Sequence, residues 1–127
     1  MQIKKVGVVG CGLMGSGIAQ VAAMAGCQVI AHEVTMVLAQ KGIARIHGSL
    51  GKLVEKGRLK AEEADAAKAR LKPSTSLADL KECDLVVEAI VENLDDKKKL
   101  FAELGRLCKK DAIFASNTSS FPIGEMA

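Results

Sequence analysis

Short unbroken apolar runs alternate along the chain with longer stretches in which apolar residues recur every three or four positions. Val6-Gly7-Val8-Val9 is the first run and predicts a buried strand. A small-residue helical pattern follows over residues 16–25, and Gly26 stops it. A second apolar run over 27–31 leads to a single carboxylate, Glu33. The period then changes. Val37, Ile43, Ile46, Leu50, Leu53 and Val54 fall at helical spacing and predict one long amphipathic helix over 35–55. Residues 60–68, rich in Ala and Glu, predict a short surface helix, and 71–76 a short strand in which Pro73 marks an edge or a strand start. Residues 77–82 link it to a strand over 84–92, apolar on both faces as buried parallel strands are. Glu88 inside that strand needs a partner or a shifted pKa. Asp95 and Asp96 suit a helix start, with Leu100, Phe101, Leu104, Leu107 and Cys108 as its core face. A last strand over 112–115 precedes Ser116-Asn117-Thr118-Ser119-Ser120, and Pro122 suits the first turn of a final helix.

This order, β-α-β-α-β-β-α-β, predicts an α/β fold: a doubly wound, mostly parallel Rossmann sheet with helices on both faces and right-handed crossovers. The 127 residues suit one domain, 1–127, and a 49% apolar composition excludes disorder. Lys4 and Lys5 before the uncharged run 6–31 imitate a signal peptide or membrane span. Six glycines in that run, each costing about 1 kcal/mol against alanine in a helix, exclude that reading. No membrane is expected as a partner. With only Phe101, Phe114 and Phe121 as aromatics, base stacking has almost no candidates, so nucleic acid is not expected either. Cys11, Cys27, Cys83 and Cys108 are scattered singly, as small core residues in a reducing, cytoplasmic setting. His32 and His47 form no metal-ligand spacing, and no metal is expected.

The chemistry concentrates in Gly10-Cys11-Gly12-Leu13-Met14-Gly15, a G-x-G-x-x-G between a predicted strand and a predicted helix. In a dinucleotide-binding turn the first glycine permits the tight bend, the second lets backbone approach a pyrophosphate, and the third lets helix pack on strand. The helix N-terminus adds partial positive charge for the phosphates. Glu33, 23 residues after Gly10, stands where a carboxylate meets the adenine-ribose hydroxyls. Net charge is only +3, but residues 1–60 hold eight Lys or Arg against two acids, while 61–127 hold ten against thirteen. Lys41, Arg45, Ser49, Lys52 and Lys56, spaced 4, 4, 3 and 4, form one stripe on the long helix. Such a stripe is ordinarily a solvated face, yet only Glu55 opposes it between Lys41 and Lys60, which favours an anionic ligand. Glu92 and the Asn117–Ser120 run end strands at the sheet edge where α/β proteins bind ligands.

Assembled, these residues resemble the N-terminal NAD-binding domain of the 3-hydroxyacyl-CoA dehydrogenase family along the whole chain. The motifs that carry the resemblance are Val8-Val9-Gly10-Cys11-Gly12-Leu13-Met14-Gly15-Ser16-Gly17-Ile18-Ala19-Gln20, Asp84-Leu85-Val86-Val87-Glu88-Ala89-Ile90-Val91-Glu92 and Ala115-Ser116-Asn117-Thr118-Ser119-Ser120. The resemblance implies oxidation of the 3-hydroxyl of an acyl-CoA thioester with hydride passing to NAD, or the reverse reduction, in fatty acid and butanoate metabolism. By the same resemblance Gly10, Gly12, Leu13, Met14 and Gly15 hold the pyrophosphate and Glu33 the adenine ribose. Glu92, Lys97 and Asn117 are implied as further cofactor contacts, Ser119 as the serine on the reacting oxygen, and Ser49 and Lys56 as coenzyme A contacts.

Two departures stand out. The family usually carries aspartate where this chain has Glu33. The family's catalytic histidine, its glutamate partner, and the C-terminal helical domain through which it forms homo-oligomers fall beyond Ala127. The isolated chain is therefore expected to bind NAD without turnover. A non-catalytic NAD-binding module is the rival reading. A Rossmann dehydrogenase for another substrate is a weaker one, against which Ser49, Lys56 and residues 117–120 speak.

Overall fold

The computed structural model describes residues 3–10, 12–89, 94–108 and 112–116. Five strands form one parallel sheet: β1 (Lys5–Val9), β2 (Gln28–His32), β3 (Leu71–Ser74), β4 (Leu85–Glu88) and β5 (Ile113–Ser116). Their spatial order is β3-β2-β1-β4-β5, so the chain reverses its direction of winding at β1. Four helices connect them: α1 (Leu13–Met24), α2 (Met36–Glu55), α3 (Ala61–Ala69) and α4 (Leu94–Leu107), with a 3-10 turn at Leu77–Leu80.

Two cores sandwich the sheet. Val6, Val8 and Val29 meet Ala19, Ala23, Ile46, Leu50 and Ala64 of α1, α2 and α3 on one face. Val9, Ile30 and Val86 meet Leu80, Cys83 and Leu104 on the other. Burial on both faces is why β1, β2, β4 and β5 read as apolar runs rather than as alternations, unlike β3 at the edge. Pro73 costs no ladder bond because β3 is the edge strand, as expected.

Several predicted boundaries move for identifiable reasons. α1 starts at Leu13, not residue 16, because Gly12 is its N-cap and the last half of the glycine motif forms its first turn. α2 begins after Thr35, whose side chain accepts a hydrogen bond from the Leu38 amide at 3.2 Å. Its buried stripe is Ala39, Gly42, Ile46 and Leu50, whereas Val37 is 62% exposed. Of the predicted face, Ile46 and Leu50 are buried and Ile43, Leu53 and Val54 half-buried, so the spacing erred only at its first position. Asp84, predicted within β4, instead precedes it and accepts the Lys4 and Lys5 amides at 2.8 and 3.0 Å. The strand predicted over 84–92 is described as Leu85–Glu88, with the Ala89 amide still bonding the Val9 carbonyl at 2.9 Å; residues 90–92 lie outside the described residues. Leu107, expected in the core, is 36% exposed, while Leu104 is fully buried.

Gly7 is a packing position that the pattern alone does not single out. A Cβ there would stand 2.7 Å from Leu80 Cδ2 and 3.2 Å from Cys83 Sγ, so a side chain on β1 would require the buried Leu80 to shift. Cys83 is buried; Cys27 and Cys108 are half-buried, and their thiols donate to the Ile3 and Leu80 carbonyls. Burial raises the Cys108 thiol pKa. No described helix is long and apolar enough to cross a membrane.

Candidate functional site

Because β1 and β4 are neighbours whose connections leave on opposite faces, a crevice opens at their C-terminal ends. The glycine turn occupies it. Gly10 has a positive φ of 94°, a left-handed conformation that glycine adopts without steric cost. Its amide bonds the His32 carbonyl at 3.0 Å, locking the turn to the end of β2. A Cβ on Gly15 would collide with the Gly10 carbonyl oxygen and sit 3.4 Å from Ala89 Cβ. Thus α1 begins in direct backbone contact with the turn that feeds it.

Gly12 is the opposite case. It is exposed, and a Cβ there would meet nothing within 4 Å. Helix α1 has no side-chain cap and no acid in its first turn, so the positive end of its dipole faces the space beyond Gly12. That space suits a phosphate: open backbone on one side, helix dipole behind.

Glu33 follows directly on β2. Its amide donates to the Ser74 carbonyl at 2.9 Å, and its Oε1 accepts the Val34 amide at 3.3 Å. The half-buried carboxylate is therefore held at the sheet edge by its own backbone. His32 and Val34, beside it, line a cleft of about 590 Å³ with Thr75, Ser76, Leu77 and Glu103. Burial lowers the His32 pKa; a hydrogen bond with the Thr75 backbone and the carboxylates of Glu33 and Asp79 pull the other way. Glu88, fully buried at the end of β4 in register with Val9 and Ser116, is engaged in an interaction there, as a buried carboxylate must be.

The predicted stripe exists. On α2, Lys41, Arg45, Lys52 and Lys56 are exposed and Ser49 is half-buried. Arg45 reaches across to α1, its Nη1 donating to Ser16 Oγ at 3.4 Å. Ser16 is 3% exposed and directly follows Gly15. Sequence spacing put Arg45 on the stripe but gave no sign of this link. A second unforeseen link, Arg70 Nη1 to the Ala23 carbonyl at 2.8 Å, closes the C-terminal end of α1.

Among the predicted site residues, Gly10, Gly12, Met14, Gly15 and Glu33 gather at one end of the sheet. For Leu13 and Lys97 only the backbone is described, on the first turns of α1 and α4. Glu92, Asn117 and Ser119 lie outside the described residues, as does the final helix expected after Pro122. No cluster of three His, Cys, Asp or Glu able to hold a metal occurs among the described residues.

A family model described as "3-hydroxyacyl-CoA dehydrogenase, NAD binding domain" matches residues 5–127. The chain belongs to that family. It is 48% identical over 123 residues to a probable 3-hydroxybutyryl-CoA dehydrogenase of Deinococcus radiodurans, covering 97% of this chain and 44% of that protein. The crystal structure of FadB2 from M. tuberculosis matches at a TM-score of 0.93 and 45% identity, over 99% of this chain and 45% of that one. A 3-hydroxybutyryl-CoA dehydrogenase structure from Escherichia coli matches at a TM-score of 0.95 and 38% identity, over 99% of this chain and 27% of that one. The chain thus spans less than half the length of these relatives. The domain's cofactor is NAD. The residues present fit it: the Gly12 side of the turn is open and the start of α1 carries no acid.

Proposed function

We propose that this chain is the cofactor-binding half of an NAD-dependent dehydrogenase that interconverts 3-hydroxyacyl-CoA and 3-ketoacyl-CoA, with a short acyl chain as in 3-hydroxybutyryl-CoA. The observation that carries the reading is the glycine turn, tight against α1 at Gly15 and open at Gly12, with Glu33 at the end of the adjoining strand. In this reading the Gly10–Gly15 backbone and the α1 dipole bind the pyrophosphate, with Leu13 and Met14 in its first turn. Glu33 accepts hydrogen bonds from the adenine-ribose hydroxyls, and the cleft beside His32 and Val34 takes the adenine half. Bound NAD supplies the hydride acceptor.

The remaining roles rest on the resemblance. Ser119 orients the reacting oxygen, while Glu92, Lys97 and Asn117 contact the cofactor towards its reactive end. Ser49 and Lys56 meet the coenzyme A phosphates, which the exposed cations of α2 support. A cytoplasmic homo-oligomer, assembled through a C-terminal helical domain, completes the proposal. Among the described residues Cys27, Cys83 and Cys108 form no disulfide, which supports a reducing setting.

Hydride transfer needs a proton moved at the 3-oxygen, and a general base must lie within about 2.6–3.2 Å of it or one water away. His32 is buried at the end of β2 and His47 sits on α2. A serine hydroxyl such as that of Ser119 does not supply that step by itself. The 127-residue chain is therefore expected to bind NADH and not to consume it with acetoacetyl-CoA, whereas a version extended through a helical domain does both. Comparable rates from the two proteins would place the base within these residues and overturn this assignment of roles. NADH binding without turnover in the extended protein would favour a non-catalytic module.

A further inference from the structure

Arg45 differs from the other cations of the α2 stripe in being tied to the second helix of the site. It stands ten residues beyond the Thr35 N-cap, roughly 15 Å along the axis from the sheet edge at 1.5 Å per residue. Ser16 lies three residues into α1, about 4.5 Å from that helix's start. The Arg45 side chain therefore runs back towards the N-terminal ends of both helices, the direction in which helical side chains tilt. Its guanidinium stands in the seam between α1 and α2, between the glycine turn and Ser49 one helical turn further on. Only one carboxylate, Glu55, belongs to α2, against the cations Lys41, Arg45, Lys52 and Lys56 on the same helix or at its C-cap.

We propose that Arg45 binds a phosphate of the coenzyme A ester, as a third contact beside Ser49 and Lys56. This rests on the coenzyme A reading above. In the proposed function two phosphate groups lie near this seam, the pyrophosphate of NAD and the phosphates of coenzyme A. The stripe decides for the second: Arg45, Ser49, Lys52 and Lys56 lead away from the glycine turn along α2, so a ligand held at Lys56 passes Arg45 on its way to the sheet edge. The planar guanidinium offers a forked set of donors suited to phosphate, and the hydrogen bond to buried Ser16 pre-orients it, reducing the side-chain entropy lost on binding.

The test is calorimetric titration of coenzyme A, and separately NADH, into the 127-residue chain and its Arg45→Gln, Arg45→Lys and Lys56→Glu variants. Glutamine removes the charge and, two atoms shorter, the reach to Ser16, while lysine keeps the charge without the fork. Arg45→Gln is expected to weaken coenzyme A roughly tenfold, with Arg45→Lys intermediate and NADH affinity unchanged within about twofold. Added salt should narrow the loss. Unchanged coenzyme A affinity in Arg45→Gln, alongside a loss in Lys56→Glu, overturns the proposal and leaves the coenzyme A reading standing. A loss of NADH affinity alone, or of both ligands equally, also overturns it. No coenzyme A binding by the unsubstituted chain, or no effect of either Arg45→Gln or Lys56→Glu, overturns the coenzyme A reading together with it.

Discussion

The two surfaces proposed to meet phosphates are built in opposite ways. The turn from β1 into α1 works through backbone: Gly10 supplies a left-handed conformation, Gly15 a contact that admits no Cβ, and the helix dipole the charge. The outer side of α2 works through side chains: exposed Lys41, Lys52 and Lys56, and Arg45 drawn in towards α1. Backbone positioned by packing is rigid and intolerant of change, because any added atom must displace something already in van der Waals contact. Exposed side chains tolerate change, and each contributes little in water unless a ligand removes it from solvent. Loss at the first surface should therefore be abrupt, and loss at the second graded.

The sharpest way to break that contrast is to place a methyl at two glycines three residues apart. Gly15→Ala sets a Cβ against the Gly10 carbonyl, so either the turn or α1 must shift. The expected cost is about 3 kcal/mol of stability, read as a fall in melting temperature of roughly 10 °C, with NADH affinity down roughly a hundredfold. Gly12→Ala meets nothing, at an ordinary φ of −70°. Its melting temperature should stay within about 2 °C of the parent while NADH affinity drops roughly tenfold, because the methyl faces the phosphate. Equal thermal shifts in the two variants would show that Gly15 is not packed as described. An unchanged NADH affinity in Gly12→Ala would move the pyrophosphate off this turn.

A smaller effect is expected at Glu33, where a side chain works at the edge of the backbone site. A carboxylate that accepts from ribose hydroxyls repels a 2′-phosphate, so NADH should bind roughly a hundredfold more tightly than NADPH. Glu33→Gln should bring the two within about tenfold, chiefly by relieving repulsion of NADPH. Its fold should persist, since the Glu33 amide, not the side chain, bonds Ser74. Titration of both cofactors decides this, and equal affinities in the unsubstituted chain would remove Glu33 from the ribose site.

What the sequence made legible follows the same division. Apolar runs marked β1, β2, β4 and β5 because both faces of the sheet are covered there, and Gly10, Gly12, Gly15 and Glu33 could be placed at one end of the sheet because their positions depend on local backbone and register. Contacts made between elements were not legible. Gly7 looked like one more residue of a strand until Leu80 crossed it, and Ser16 and Arg45, 29 positions apart, met only through helix packing. On α2 the spacing found Ile46 and Leu50 but passed over Ala39 and Gly42, buried small residues that hydrophobic spacing underweights. Length and period give the faces of a helix; neighbouring helices decide which part of a face is covered.

The smallest expected effect lies at the end of β2, just before Glu33. His32 is 7% exposed, and burial lowers its pKa against the opposing pull of the Thr75 backbone, Glu33 and Asp79. Glu103 of α4 lines the same cleft. A histidine kept neutral in the fold takes up a proton more readily once unfolded. The stability it contributes is therefore fully present above its unfolded pKa of 6.5 and is lost as pH falls from there through the lower folded value. One proton bounds the slope at about 1.4 kcal/mol per pH unit, a few degrees of melting temperature in a domain of this size. His47 shifts in the same direction through burial and the nearby Lys68, so the window carries both histidines. Melting curves from neutral pH down to the onset of carboxylate protonation, taken on the parent, His32→Leu and His47→Gln, separate them. The pH dependence should flatten most in His32→Leu, because that side chain is the more deeply buried. If His32→Leu retains the parent slope while His47→Gln loses it, the α2 histidine carries the acid sensitivity and the end of β2 does not.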